Sequence, residues 1–163
     1  GPDLAIEACL KAGVGLDLVG DTSITNEPEY LEKCKKMCDG KQIKMVGPAT
    51  RSECVHWFSQ AHCLLHPTKL FREPLGLAPL ESQACFSPVV SWDYGAMRET
   101  VKHGETGFLV KSLDEMIELI KTKAVDSLDR KKCREWVASK FSLSQMVAGY
   151  EILCQEALDT GGW

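Results

Sequence analysis

Five short apolar runs, at residues 16–19, 41–46, 62–66, 88–91 and 107–110, alternate with segments that mostly read as helices. This alternation constrains the fold more than any other feature. A helix of about ten residues carries the chain back to the edge where the preceding strand began, so successive strands run parallel. With right-handed crossovers the result is a doubly wound α/β fold. The periodicity predicts helices over 2–12, 26–38, 52–61, 96–102, 113–123, 128–139 and 142–158, the last one capped by Ser142. The helix at 2–12 is expected to bury Leu4, Ala5, Ala8 and Cys9, and the helix at 52–61 to bury Val55, Trp57 and Phe58. Ligands of such folds bind beyond the carboxyl ends of the strands. The loops there, 20–21, 47–48, 67–76 and 92–95, all carry Gly or Pro.

One loop leads into the most distinctive stretch, FREPLGLAPLESQACFSPVV from Phe71 to Val90. Glu73 sits in a loop fixed by Pro74 and Gly76. Glu81 falls within a short helix that tolerates Pro79 in its first turn and is ended by Pro88. A helix N-terminus beside Gly76 offers unpaired N–H groups and the positive end of a dipole, which suits phosphate. A carboxylate accepts two hydrogen bonds at once, which suits a sugar or ribose diol. The element can therefore hold a phosphate and two sugar rings. The bland readings are a solvated loop acid for Glu73, a favourable first-turn charge for Glu81, a structural histidine for His66 and solvated cations for Lys69 and Arg72.

Glu73-Pro74-Leu75-Gly76-Leu77, followed by Glu81-Ser82-Gln83-Ala84-Cys85-Phe86-Ser87-Pro88-Val89, resembles the donor-binding motif of retaining, nucleotide-sugar-dependent glycosyltransferases of the GT-B fold, family 4. Gly95, Glu99, Gly104 and Thr106-Gly107-Phe108-Leu109-Val110 continue the likeness. So do Gly1 to Ala8 upstream and Phe141-Ser142, Met146 and Tyr150 downstream. The resemblance implies the C-terminal, donor-binding half of such an enzyme, a Rossmann-like α/β domain. It makes Glu73 the catalytic candidate, orienting the donor sugar, and gives Glu81 the ribose. The backbone of Gly76, Leu77 and Ala78 takes the diphosphate, and Gly20 and Gly47 border the base. The donor is a nucleotide diphosphate sugar, with no metal or other cofactor. The absence of an Asp-x-Asp motif agrees with that.

The acceptor, a sugar, a lipid or a small molecule, is assigned to an N-terminal domain outside this chain. The family also places a strand and a Lys-Gly loop upstream of Gly1. Without that strand the runs at 16–19 and 62–66 flank an empty central place, the domain is expected to be unstable as a monomer, and either upstream residues or a segment of a partner chain is expected to fill the place. Two departures stand out. Phe86 replaces a usual glycine, which predicts a different helix cap. Tyr94 replaces another and is expected to narrow the sugar pocket.

Length and charge exclude other classes. The 163 residues make one domain with a sizeable core. A net charge of −4 argues against a nucleic-acid surface. No apolar run reaches the roughly 20 residues of a membrane span. The eight cysteines read as reduced thiols of a cytoplasmic protein, because the chain is too well patterned to need a disulfide framework. Membrane association, where it occurs, is assigned to the N-terminal half. Cys34 with Cys38, and His62 with Cys63 and His66, lack the second ligand pair of a zinc site. The rival to an enzyme is a stand-alone nucleotide or nucleotide-sugar binding module. A GT-B sugar-nucleotide epimerase fits the fold but not the Glu73–Glu81 block.

Overall fold

The computed structural model describes residues 1–21 and 27–162. Its elements follow in order: α1 (Pro2–Ala12), β1 (Leu16–Val19), α2 (Pro28–Met37), β2 (Ile43–Gly47), α3 (Arg51–Gln60), β3 (Leu64–His66) and α4 (Leu77–Ala84). Then come β4 (Val89–Trp92), α5 (Met97–Thr100), β5 (Gly107–Val110), α6 (Leu113–Lys121), α7 (Arg130–Lys140) and α8 (Leu143–Thr160). Asn26, the expected start of the second helix, lies outside the described residues. A single 3₁₀ turn at Ala124–Ser127 precedes α7, so that helix starts later than the periodicity predicts. Ser142 caps α8 as expected, its side chain accepting from the Gln145 N–H.

All strand pairs are parallel, but they form two sheets. β1 pairs with β2, Leu16 opposite Ile43. The other sheet has the order β3-β4-β5, with Leu64 opposite Val89 and Val89 opposite Gly107. β1 and β3 do not pair. The parallel α/β class holds, divided into two sheets that share one helix. Ala8 of α1 packs with Val90, Trp92, Val110 and Met116, whereas Ile6 and Cys9 pack with Cys34 and Ile43. Ile6 is fully buried and Leu4 only half-buried, because the helix must present apolar atoms to both sheets.

Two expectations about the core need correction. Val55 does not pack inward; it is 52% exposed. Trp57 and Phe58 are half-buried, and α3 contains no buried residue. Cys54, Trp57, Phe58 and Ala61 border the gap between the sheets, where no strand among the described residues covers them. A capping box between Thr50 and Glu53 fixes the start of α3, independently of that packing. Among the described residues no helix is long and apolar enough to cross a membrane.

Candidate functional site

Gly76 sets up the site. It is the N-cap of α4, with φ 83°, a backbone that an L side chain rarely adopts. A Cβ there would also lie 2.6 Å from the Met97 Cε and 3.4 Å from the Glu73 Cγ. Gly76 supplies no side-chain cap. The Leu77 and Ala78 N–H groups of the first turn have no partner among the described residues, and Pro79 has no N–H to satisfy. The start of α4 is thus a pair of unused donors at the positive end of a helix. Glu81 lies one turn further along and is exposed. Glu73 is half-buried. Among the described residues neither carboxylate has a hydrogen-bond or ion-pair partner.

The loop before α4 is tied to the end of β4. Ser91 Oγ donates to the His66 carbonyl at 2.9 Å, and Trp92 Nε1 donates to the Pro67 carbonyl at 2.9 Å. The Ala96 N–H donates to the Glu73 carbonyl, also at 2.9 Å. Lys69 lies 5.0 Å from the Trp92 ring and Arg72 5.8 Å from the Tyr94 ring. The two cations therefore rest on aromatic faces and are not merely solvated. Ser91 and Trp92 were not singled out from the sequence. The available signal was a polar and an amphipathic residue inside an otherwise apolar run. Both are buried, so their polar atoms need partners, and loop carbonyls provide them.

His66 ends β3 beneath this loop. Burial pulls its imidazole below the ordinary histidine range, while the charge of Glu73 acts in the opposite direction. Its Nε2 is buried without a partner. Gly20 and Gly47 end the strands of the other sheet, and the Gly20 N–H donates to the Gly47 carbonyl at 2.9 Å. The candidate residues thus form two groups: Gly20 with Gly47 on one sheet, and Glu73, Gly76, Leu77, Ala78 and Glu81 on the other.

The cap after α4 differs from expectation. Phe86 takes the left-handed conformation, φ 65°, that a glycine would take. The Ser87 N–H donates to the Ser82 carbonyl at 2.9 Å and the Phe86 N–H to the Gln83 carbonyl at 3.0 Å. That is a complete Schellman motif with Phe in the glycine place. Arg134 lies 5.3 Å from the Phe86 ring and donates to the Ala84 carbonyl at 2.7 Å, bracing the cap. The eight cysteines are all unpaired. Among the described residues no group of three His, Cys, Asp or Glu could hold a metal.

A helix start opened by a glycine and flanked by two carboxylates, in the loops beyond the strands of a parallel α/β fold, lies where folds of this class hold their ligands. Residues 1–138 match the family described as Glycosyl transferases group 1, and the chain belongs to that family. The D-inositol 3-phosphate glycosyltransferase of Pseudarthrobacter chlorophenolicus is 38% identical over 68 residues, 42% of this chain and 16% of that protein. An uncharacterized 41.2 kDa protein in the cps region of Klebsiella pneumoniae is 28% identical over 138 residues, 82% of this chain and 36% of that one. Among solved structures, Anabaena HepE in complex with UDP superposes with a TM-score of 0.80 at 22% identity, covering 94% of this chain and 45% of that one. The sucrose-phosphate synthase of Thermosynechococcus elongatus gives a TM-score of 0.75 at 22% identity, covering 98% and 43%. The fold is therefore the Rossmann-like α/β half of a GT-B glycosyltransferase. The chain spans less than half the length of each of these relatives.

Proposed function

We propose that this chain is the donor-binding half of a retaining glycosyltransferase of family 4. The protein containing it would transfer a sugar from a nucleotide diphosphate sugar to an acceptor held by another domain. The observation that carries this reading is the uncapped start of α4, opened by Gly76 and flanked by Glu73 and Glu81. Leu77 and Ala78 donate their N–H groups to the diphosphate. Glu81 accepts from the ribose hydroxyls, and Glu73 accepts from the donor-sugar hydroxyls and holds the reacting carbon in register. Gly20 and Gly47, small and joined by a hydrogen bond, leave room for the base. That HepE was solved with UDP supports the nucleotide part of the reading.

The chemistry asked of these groups is stabilisation of a leaving diphosphate. Fixed N–H dipoles aimed at developing negative charge do this without reorganisation, and no metal is needed. Alone the domain is nearly inactive, because proximity to the acceptor supplies much of the rate. Cytoplasmic residence belongs to the same proposal.

Calorimetric titration with UDP, GDP, ADP and their sugars tests it. One nucleotide is expected to bind, unchanged by a chelator. Glu81→Ala should weaken binding by about 1–3 kcal/mol, the cost of a lost charged hydrogen bond. Equal affinity of wild type and Glu81→Ala would remove the ribose assignment, and no binding of any nucleotide would remove the donor role.

A further inference from the structure

The loop between β3 and α4 exposes Lys69, Leu70, Phe71 and Arg72 in succession. Leu70 is 99% exposed and Phe71 57%, and beyond Glu73 the chain also exposes Leu75 and Leu77. Leu and Phe side chains gain most from leaving water, so several left in water within so short a stretch mark a contact surface. The loop is not free to fold over them. Ser91 and Trp92 hold one end through the His66 and Pro67 carbonyls, and the Ala96 N–H holds the other through the Glu73 carbonyl.

The charges on either side of Leu70 and Phe71 say what kind of surface it is. Lys69 rests on the Trp92 ring at 5.0 Å and Arg72 on the Tyr94 ring at 5.8 Å. Among the described residues neither has a carboxylate partner. A ring face steadies a cation without using up its N–H donors. Two apolar side chains between two steadied, unpaired cations match an anionic head carried on an apolar chain. The exposed apolar side of α8 does not. It shows Leu143, Met146 and Tyr150, but the helix carries Glu151, Glu156 and Asp159 and no Lys or Arg, so an anionic surface repels it.

We propose that Lys69 to Arg72 form a docking loop for an anionic lipid bilayer. Leu70 and Phe71 enter the boundary between headgroups and acyl chains, and Lys69 and Arg72 bind lipid phosphates. The net charge of the chain is −4, so the attraction is local to this loop and is screened by salt. Arg72 is joined directly to Glu73. Docking therefore turns the Glu73 side of the site toward the membrane and makes a lipid-borne acceptor the one within reach. That last step rests on the donor-binding reading above; the lipid contact itself does not.

The test uses the full-length protein that contains this chain, with vesicles of phosphatidylcholine alone and of phosphatidylcholine and phosphatidylglycerol at roughly two to one. Co-sedimentation is expected to show at least tenfold tighter binding to the anionic vesicles, weakened by added salt. Leu70→Ser/Phe71→Ser and, separately, Lys69→Gln/Arg72→Gln are each expected to weaken that binding at least tenfold. Phe71→Trp gives a reading that does not depend on how the double variants fold: lipids brominated on their acyl chains are expected to quench its added fluorescence. Vesicle binding retained by both double variants overturns the proposal, and so does Phe71→Trp left unquenched by bound vesicles. Full-length protein that ignores anionic vesicles assigns the loop to a contact with another domain and overturns it. Glycerol phosphate in solution bound as tightly as the vesicles assigns the cations to a soluble anion and overturns it too. UDP is titrated in parallel, with unchanged affinity expected for Leu70→Ser/Phe71→Ser. Vesicle binding without any UDP binding leaves the docking loop standing and removes the donor-binding reading; UDP binding without vesicle binding does the reverse.

Discussion

Gly95 lies against the backbone of Glu73. A Cβ on Gly95 would sit 2.8 Å from the Glu73 carbonyl oxygen and 2.9 Å from its nitrogen. The φ of Gly95 is 62°, so an L side chain there is strained even before it collides. The next residue clamps the same carbonyl through the Ala96 N–H. The position of Glu73 is thus set by the loop after β4, a segment some twenty residues away in sequence.

Gly95→Ala is expected to lower stability by at least about 1–2 kcal/mol, the cost of the left-handed backbone alone. It should also weaken nucleotide-sugar binding more than binding of the bare nucleotide, because Glu73 moves and Glu81 does not. Chemical denaturation and calorimetry check both. Unchanged stability would show that the loop yields freely.

Much of the fold was legible because its signals are local. Pro2 to Ala12, Leu16 to Val19, Gly107 to Val110 and the Ser142 cap agree with their predicted bounds, and each rests on periodicity or cap chemistry within a few residues. The misreadings have non-local causes. Helical spacing places Val55 inward with Trp57 and Phe58, but the face of α3 that borders the gap carries Cys54, Trp57, Phe58 and Ala61, and Val55 lies off it and is exposed. Phe86 was predicted to change the cap, but Arg134, far along the chain, supports the left-handed turn. The site was legible as a pattern of residue types. The groups that hold it, Ser91, Trp92 and Gly95, act by tertiary contact, and spacing alone does not reveal that.

Phe86 offers a test of opposing magnitudes. Its left-handed backbone costs about 1–2 kcal/mol relative to glycine. The Arg134 contact returns about 0.5–1 kcal/mol, and a glycine would add about 0.4–1 kcal/mol of unfolded-state entropy to be lost. Phe86→Gly is therefore expected to stay within about 1 kcal/mol of wild type. Phe86→Val, which keeps the strain and loses the ring, should lose about 1–2 kcal/mol more than the glycine variant. Thermal denaturation of the two variants decides it; a valine variant as stable as the glycine one would contradict the strain argument.

Asp93 predicts a pH dependence at the same loop. Arg98 grips its carboxylate through two N–H groups, at 2.5 and 3.0 Å, and holds it below the usual carboxylate range. A depressed folded-state pKa means that the contribution is complete above the unfolded value, about 4, and is lost as pH falls through the lower folded value. Asp93→Asn should therefore melt below wild type at pH 7, and the two melting curves should converge toward pH 3. A gap that persists undiminished at pH 3 would point to lost packing in place of lost charge.

Backbone amide shifts test whether a nucleotide diphosphate sits at the start of α4, as proposed. On titration with UDP, or whichever nucleotide calorimetry selects, the Leu77 and Ala78 amides are expected to move most, with those of Gly20 and Gly47 moving at the same ligand concentration. Saturable shifts confined to other surfaces, with Leu77 and Ala78 unmoved, would contradict it.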